Sequence, residues 1–234
     1  MSSVLQRPVI AVTGLAIEAR IARGRGVVAV SAGMRANLAR RLDEIARDGI
    51  AGIMSIGIAG ALDPALPAGA WLVAQAVVTA EARYPADQAW TAQLSRRLPG
   101  AARVDVAGVD EVITAVEAKR SAFVSYRAAA ADMESHLVAR FAASRGLPFA
   151  VFRVISDTVR HGLPDAARHA MRPDGSVSVG ATLAAYARSP RDLLALPRTA
   201  LDAGTAIAAL RRGRNRLGAG LGFPDFDELV LDVL

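Results

Sequence analysis

The sequence predicts an α/β protein with a three-layer α/β/α architecture, in which helices cover a central mixed, largely parallel sheet. Of the 234 residues, 53% are hydrophobic but only 5% are aromatic. A core built from Ala, Val, Leu and Ile is typical of helices packed on a parallel sheet. Short apolar runs also alternate along the chain with amphipathic segments, as strands alternate with helices. We divide the chain into a main domain, residues 1–190, and a C-terminal amphipathic helical extension, residues 191–234.

The individual elements follow from hydrophobic periodicity and from the residues that interrupt it. Strands are expected at residues 8–13, 27–30, 50–56, 71–79, 102–106, 121–126 and 149–155. Helices are expected to open at residue 17 and to cover residues 37–48, 89–98, 111–119, 131–146, 177–188 and 190–210. Residues 57–60 contain two glycines and are expected to form a turn that approaches a ligand closely. Residues 83–87 are expected to be a turn-rich segment without regular structure.

The helix and strand within residues 131–158 carry the most informative acidic residues. Glu134 lies near the start of the helix, where the backbone dipole favours an anion. Ser156 and Asp157 follow the strand, at the edge where open α/β sheets bind ligands. Because the helix runs antiparallel to the strand, Glu134 returns to that same edge. The sequence therefore predicts two carboxylates in one crevice, with Asp132 capping the helix.

The composition excludes several classes of site and location. The absence of cysteine excludes disulfides, thiol catalysis and thiolate-bound metals. The histidines, His136, His161 and His169, do not have metal-binding spacing, so we expect no metal. The N-terminus lacks signal-peptide features, and the apolar stretch at 50–62 is too short to span a bilayer. We therefore expect a cytoplasmic protein.

The formal net charge of +6 comes from arginine, since Lys119 is the only lysine. The basic residues are dispersed, and neither interleaved aromatic residues nor a known binding motif accompanies them. This pattern argues against nucleic-acid binding. The C-terminal extension has basic residues at 211–216 next to leucines at helical spacing. It is interpreted as a surface helix with a solvated tail, or as a peripheral contact with an anionic membrane or a second subunit.

Three motifs in order resemble the nucleoside phosphorylase and methylthioadenosine nucleosidase superfamily. They are S-I-G-I-A-G-A-L-D-P at 55–64, D-M-E at 132–134 and R-V-I-S-D at 153–157, and the resemblance covers roughly residues 8–190. More narrowly, D-P-A-L-P-A-G at 63–69, R-Y-P-A-D at 83–87 and D-M-E-S at 132–135 resemble the hopanoid-associated phosphorylase branch. Members of that branch act on adenosylhopane, a lipid nucleoside. The resemblance also implies a nucleoside phosphorylase-like sheet and a homo-oligomer.

The resemblance implies a role for each motif residue. Asp157 would act as the acid that gives its proton to the purine N7, because adenine leaves poorly as an anion. For this role we expect Asp157 to be buried against apolar side chains such as Phe152, Ile155 and Val159. Glu134 would bind the ribose hydroxyls. The other implied contacts are Met133 with the ribose, and Ser156, Ala59 and Gly60 with the base.

The attacking group is left open between water and inorganic phosphate. Glu18 would activate water for a nucleosidase, as the matching glutamate does in methylthioadenosine nucleosidases. Its simpler interpretation is a solvated first-turn acid. Phosphate, a co-substrate for a phosphorylase, would bind near Gly14, Gly33 and Arg35. Ile58 replaces the serine or threonine that the family often has, which argues against ordinary phosphorolysis of small nucleosides. We expect no other cofactor.

The sequence therefore predicts an enzyme that releases adenine from adenosylhopane. A close alternative is cleavage of 5'-methylthioadenosine, S-adenosylhomocysteine or purine nucleosides in general. An alternative of another class is a non-catalytic nucleotide-binding regulator, against which the retained Glu134, Ser156 and Asp157 argue. A dinucleotide-binding oxidoreductase is disfavoured, because no G-x-G-x-x-G follows the first strand.

Overall fold

A computed structural model describes residues 7–32, 37–47, 49–159, 190–224 and 226. Within these ranges the strands are β1 (Val9–Thr13), β2 (Val27–Ser31), β3 (Gly52–Ala61), β4 (Trp71–Val78), β5 (Arg83–Pro85), β6 (Ala102–Gly108), β7 (Ala130–Asp132) and β8 (Phe149–Asp157). The helices are α1 (Ala16–Ala22), α2 (Leu38–Ala46), α3 (Gln88–Arg97), α4 (Val116–Tyr126), α5 (Ser135–Arg145) and α6 (Pro190–Leu217), followed by a 3-10 turn at Ala219–Gly222.

The strands form one mixed sheet in the order β2-β1-β3-β7-β6-β4-β5. Strand β8 pairs in parallel with β3 and antiparallel with β4, so β3, β7, β6, β4 and β8 close into a ring. Most pairings are parallel, and the antiparallel ones join β3 to β7, β4 to β5 and β4 to β8. These findings confirm the predicted α/β fold, with a central mixed sheet flanked by helices.

The core lies on both faces of the sheet. Every residue of β1 is buried, and alternate side chains enter different apolar clusters: Val9 packs with Trp90 and Phe152, whereas Ile10 packs with Leu42. This alternation follows from the two-residue period of a strand. The sequence of a strand that is covered on both faces is a continuous apolar run, and β1 and β8 are recognisable for this reason.

The C-terminal helix α6 packs on the sheet through its second half. Ala206, Ala209 and Leu210 are buried in the core cluster that contains Phe152. The indole N–H of Trp71 also donates to the Ala209 carbonyl at 3.0 Å. The interpretation of this region as a surface helix with a solvated tail is therefore wrong for these residues, whereas the domain division at residue 190 stays a prediction. None of the described helices is long and apolar enough to cross a membrane.

Several sequence-based assignments are wrong where distant strands supply the hydrogen bonds. The expected turn at 57–60 continues β3, because Gly60 pairs with Ala131 of β7 and with Asp157 of β8. The helix expected from residue 131 begins at Ser135, since β7 occupies the preceding residues and bridges β3 and β6. Residues 83–85 likewise form β5 against β4.

Residues 111–126 also differ from the prediction. The expected helix at 111–119 and strand at 121–126 are replaced by the single helix α4, Val116–Tyr126. The β-branched and aromatic residues that suggested a strand lie on exposed or half-buried positions, whereas Lys119 and Ala122 face the protein at helical spacing. The helix expected at 177–188 lies outside the described residues.

Candidate active site

Glu18 is buried at the start of α1, where the strand β1 runs through Gly14 and Leu15 into the helix. The residue is only 2% exposed, and its two carboxylate oxygens accept the backbone N–H groups of Leu15 and Ile58, each at 2.8 Å. Gly57 leaves room for this carboxylate, because a Cβ there would lie 2.7 Å from Glu18 Oε1. The alternative of a solvated first-turn acid is therefore wrong. Burial raises the pKa of Glu18, although the Arg153 guanidinium and the backbone N–H donors oppose this effect.

Arg153 connects Glu18 to the acidic residues before α5. Its side chain is fully buried, with Nε 3.0 Å from Asp132 Oδ2 and Nη2 3.6 Å from Glu134 Oε2. Nη2 also donates to Ser55 Oγ at 2.6 Å. Burial alone would lower the pKa of Arg153, but the carboxylates of Asp132, Glu134 and Glu18 outweigh it and raise the pKa above its ordinary value. The guanidinium is therefore the cation that allows three carboxylates to share this site.

Glu134 lies beside the β1–α1 turn, at the N-cap position immediately before α5. A Cβ on Gly14 would lie 3.0 Å from Glu134 Oε1, so the glycine permits this close approach. Asp132 stands two residues before this N-cap position, and its Oδ1 accepts the N–H groups of Glu134 at 2.9 Å and of Ser135, the first helical residue, at 2.7 Å. We name Glu18, Asp132, Glu134 and Arg153 the Arg153 cluster.

The sequence analysis assigned no role to Arg153, although the residue is the first position of the R-V-I-S-D motif. A usable signal was present, because Arg153 interrupts the otherwise apolar run at residues 149–155. A fully buried arginine requires paired acceptors. The carboxylates predicted for the site were the obvious candidates.

Asp157 lies at the end of β8 and pairs with a lysine. Its Oδ2 accepts a hydrogen bond from Lys119 Nζ on α4, and the same ammonium donates to the Thr158 carbonyl at 3.1 Å. Ser156 Oγ lies 2.8 Å from Asp157 Oδ1 and 3.2 Å from the Ala59 carbonyl. A bulge between β3 and β8 places Asp157 opposite Gly60, where a Cβ would lie 3.0 Å from Oδ2.

The surroundings of Asp157 differ from the expectation in one respect. Phe152, Ile155 and Val159 are buried as expected, but the group at the Asp157 carboxylate is the ammonium of Lys119. The expectation that apolar side chains alone surround the Asp157 carboxylate is therefore wrong. Sequence reasoning gave Lys119 no role.

A small cavity of about 50 Å³ lies next to the Lys119–Asp157 pair. Its lining includes Gly60, Leu62, Ile113, Lys119, Met133 and Asp157. Asp132 also lines it and contacts Arg153, so the cavity adjoins the Arg153 cluster. A cavity of this size holds a few water molecules and must widen to accept a nucleoside.

The structure brings together most of the residues that the sequence singled out. Glu18, Glu134 and Gly14 meet in and around the Arg153 cluster, whereas Asp157, Ser156, Ala59, Gly60 and Met133 meet around the cavity. Gly33 and Arg35 lie outside the described residues. No group of three or more His, Asp or Glu side chains suited to a metal ion occurs in the described part of the chain.

The sequence profile of the phosphorylase superfamily matches residues 5–189 of the chain. The chain belongs to this superfamily. It is accordingly an N-glycosyl-cleaving enzyme of the nucleoside phosphorylase and nucleosidase type. No curated protein matches its sequence.

Solved structures of other organisms share the fold of this superfamily member. The 5'-methylthioadenosine/S-adenosylhomocysteine nucleosidase of S. pneumoniae, with a transition-state inhibitor, has a TM-score of 0.63 at 14% identity, covering 92% of this chain and 99% of that one. The Helicobacter pylori nucleosidase with butyl-thio-DADMe-Immucillin-A has a TM-score of 0.62 at 14% identity, covering 91% and 100%. Futalosine hydrolase of Helicobacter pylori strain 26695 has a TM-score of 0.59 at 16% identity, covering 65% and 88%.

Proposed function

We propose that this enzyme releases adenine from a lipid-linked adenosine, adenosylhopane, by attack of water on the ribose. The observation that carries the proposal is that two groups of charged side chains meet at one cavity. The Lys119–Asp157 pair lines the cavity, and so does Asp132, which contacts Arg153 and thereby joins the cavity to the Arg153 cluster. The hopanoid-type motifs at 63–69, 83–87 and 132–135 support the lipid nucleoside as substrate.

At the purine, the difficulty is that adenine leaves poorly as an anion. Asp157 passes a proton to N7 while the C1'–N9 bond breaks, so the base departs as neutral adenine. Ser156 supports this step through its hydroxyl group, which has one proton to donate and two acceptors within reach. The hydroxyl can rotate from Asp157 Oδ1 to the Ala59 carbonyl, which frees Oδ1 for another hydrogen bond. Gly60 lets the base approach this carboxylate, since any side chain there would collide with it.

At the sugar, Glu134 accepts hydrogen bonds from the ribose hydroxyls. Its negative charge also favours the positive charge that grows on the ribose in an oxocarbenium-like transition state. Arg153 orients this carboxylate through its Nη2 atom, which lies 3.6 Å from Glu134 Oε2. Met133, which lines the cavity, packs against the ribose.

The attacking water is assigned to Glu18. A general base works best when its pKa lies near the working pH, and burial raises the pKa of Glu18 toward that range. The two backbone N–H groups that bind its oxygens fix the carboxylate in one orientation. The retained glutamate favours water over phosphate as the acceptor, and Ile58 supplies no side-chain hydroxyl for a phosphate ion.

The second candidate function is cleavage of 5'-methylthioadenosine or S-adenosylhomocysteine. Nucleosidases of that name share the fold at TM-scores of 0.63 and 0.62. The two candidates share the chemistry at C1' and differ at the 5' position, where the lipid substrate needs an open apolar path.

One incubation series tests the proposal. The enzyme is given adenosylhopane or 5'-methylthioadenosine, each with and without inorganic phosphate, and free adenine is measured. We expect adenine from adenosylhopane at a rate that phosphate does not change. Faster release from 5'-methylthioadenosine would favour the second candidate, and a requirement for phosphate would replace hydrolysis by phosphorolysis. Binding of both nucleosides without adenine release would support a non-catalytic regulator and refute the proposal.

A further inference from the structure

Lys119 is an unusual residue in this chain. It is the only lysine in a sequence rich in arginine, and it is 1% exposed. It sits on α4 and points to the end of β8, where its ammonium contacts Asp157 and the Thr158 carbonyl. It also lines the cavity beside Asp157. The proposed function gives Asp157 a role but leaves this cation without one.

Stability alone is a weak reason for this pair. Moving an ammonium and a carboxylate out of water carries a desolvation cost that their attraction only approximately offsets, and well-packed apolar side chains often serve as well. An exposed arginine elsewhere on α4 could supply the same positive charge without this desolvation cost. A role in the chemistry at the cavity gives a reason for the residue that stability does not.

The choice of lysine rather than arginine points to proton transfer. An arginine guanidinium binds carboxylates well but keeps its proton under all conditions in proteins, whereas an ammonium can release one. Asp157, in contrast, accepts hydrogen bonds at both oxygens, from Lys119 at Oδ2 and from Ser156 at Oδ1. In this arrangement the carboxylate is placed to receive a proton, and the nearest group with one to give is Lys119.

We propose that Lys119 is the source of the proton that the departing purine takes, an inference that rests on the proposed function. A proton moves from Lys119 Nζ to Asp157 Oδ2, and this converts the ion pair into a neutral amine and a neutral acid. Asp157 then gives the proton to N7 as the C1'–N9 bond breaks and its electron pair moves to the purine.

The remaining transfers restore the enzyme. Water forms the new bond to C1' and gives its proton to Glu18. After adenine and the sugar leave, Glu18 returns that proton to solvent and Lys119 takes one up, so the net reaction consumes one water molecule. Binding of the purine favours the first transfer, because excluding water from the cavity penalises the charged pair more than the neutral one.

Lysine variants separate a proton source from a residue that only positions Asp157. Lys119→Arg keeps the positive charge beside Asp157 but cannot release a proton, and Lys119→Met removes both properties. We expect kcat to fall at least about 100-fold in both variants with KM changed less, as for loss of a general acid. Wild-type kcat in Lys119→Arg would overturn the inference and leave Lys119 a positioning role. Glu117→Gln, an exposed change on the same helix, serves as the control.

Chemical rescue keeps the test valid if arginine does not fit the buried position. In Lys119→Ala, methylammonium can enter the space left by the side chain and donate a proton, whereas tetramethylammonium has the same charge and no proton to give. We expect methylammonium to raise adenine release at least about tenfold, a fraction of the loss expected for a general acid. We expect tetramethylammonium to leave the rate unchanged. Equal rescue by both ions, or rescue by neither in a variant that unfolds like the wild type, would overturn the proton transfer.

A spectroscopic measurement on the wild-type enzyme does not depend on turnover. Because the sequence has one lysine, ¹³C-lysine labelling gives a single side-chain Cε signal that reports whether the amine is protonated. We expect adenine to shift this signal toward the neutral amine, and an unchanged signal at saturating adenine would overturn the inference. Failure of the proposed function looks different, since it appears in the wild-type enzyme itself: adenine is released faster from 5'-methylthioadenosine, or only with phosphate, or from no nucleoside.

Discussion

The substitution Arg153→Met tests whether the buried guanidinium holds the acidic cluster together. Methionine fills similar space but leaves Asp132 and Glu134 without the cation that lies 3.0 Å and 3.6 Å from their oxygens. Ser55 Oγ also loses a donor at 2.6 Å. Removing one partner of a buried ion pair costs about 3–5 kcal/mol, because the remaining charge stays buried without compensation. The total free energy of unfolding of a native protein is about 5–15 kcal/mol, so this loss is large. The variant still folds unless the wild-type protein lies near the lower end of that range.

Urea denaturation followed by circular dichroism measures the effect. With a slope of about 3 kcal/mol per molar urea for a chain of this size, we expect the midpoint to fall by about 1–1.7 M. The matched control is the double variant Arg153→Met with Asp132→Asn. The asparagine keeps an oxygen for the N–H groups of Glu134 and Ser135 but removes the uncompensated charge.

The double variant should therefore be more stable than Arg153→Met alone, although Asp132→Asn by itself is destabilising. This sign reversal is the specific signature of a charge that needs its partner. A midpoint for Arg153→Met within experimental error of the wild type would refute the reasoning. The same conclusion would follow if the two substitutions were simply additive.

Three further predictions concern the candidate active site. Asp157→Asn should lower adenine release by about 10²–10⁴-fold in a protein that still folds, and near-wild-type release would remove Asp157 as the acid. Gly57→Ala places a Cβ 2.6 Å from Arg153 Nη1 and 2.7 Å from Glu18 Oε1, so overpacking should cost about 1–3 kcal/mol in the same urea assay, whereas unchanged stability would contradict this packing. Glu18→Gln tests the pKa of Glu18, which burial raises above its ordinary value of 4.5. Since the folded state then binds that proton more tightly than the unfolded state, the wild type should lose stability relative to Glu18→Gln as the pH rises from 4.5 through the raised pKa, and a pH-independent difference would contradict the shift.

The sequence predicted those parts of the site that depend on local order. An apolar run ending in Ser156 and Asp157, preceded by a helix with Glu134 near its start, predicted both carboxylates at one sheet edge. In the structure Asp157 lines the cavity, whereas Glu134 belongs to the Arg153 cluster. The continuation of β3 through its glycines was not predictable in this way, because its hydrogen bonds come from β7 and β8. Local periodicity describes a strand but does not identify its neighbours.

The two cations were missed for a related reason. Arg153 lies in β8, whereas its ion-pair partners Asp132 and Glu134 lie outside that strand. Lys119 contacts Asp157 from α4, a helix that hydrophobic periodicity predicted as a helix followed by a strand. Pairing of buried charges depends on tertiary contacts between distant segments. The requirement for a partner is visible in the sequence, but the identity of the partner is not.

Strand β8 has a consequence for the range of molecules that the enzyme can process. The strand carries Arg153 and Asp157 four residues apart, so their Cα atoms are separated by about 13 Å at most. Hydrogen bonds to β3 on one side and β4 on the other prevent the strand from sliding. In the proposed mechanism, Arg153 orients the ribose-binding Glu134 and Asp157 protonates the base, so β8 fixes the distance between these two points. An adenosine analogue elongated by an extra ring within its base should engage one end or the other, but never both together.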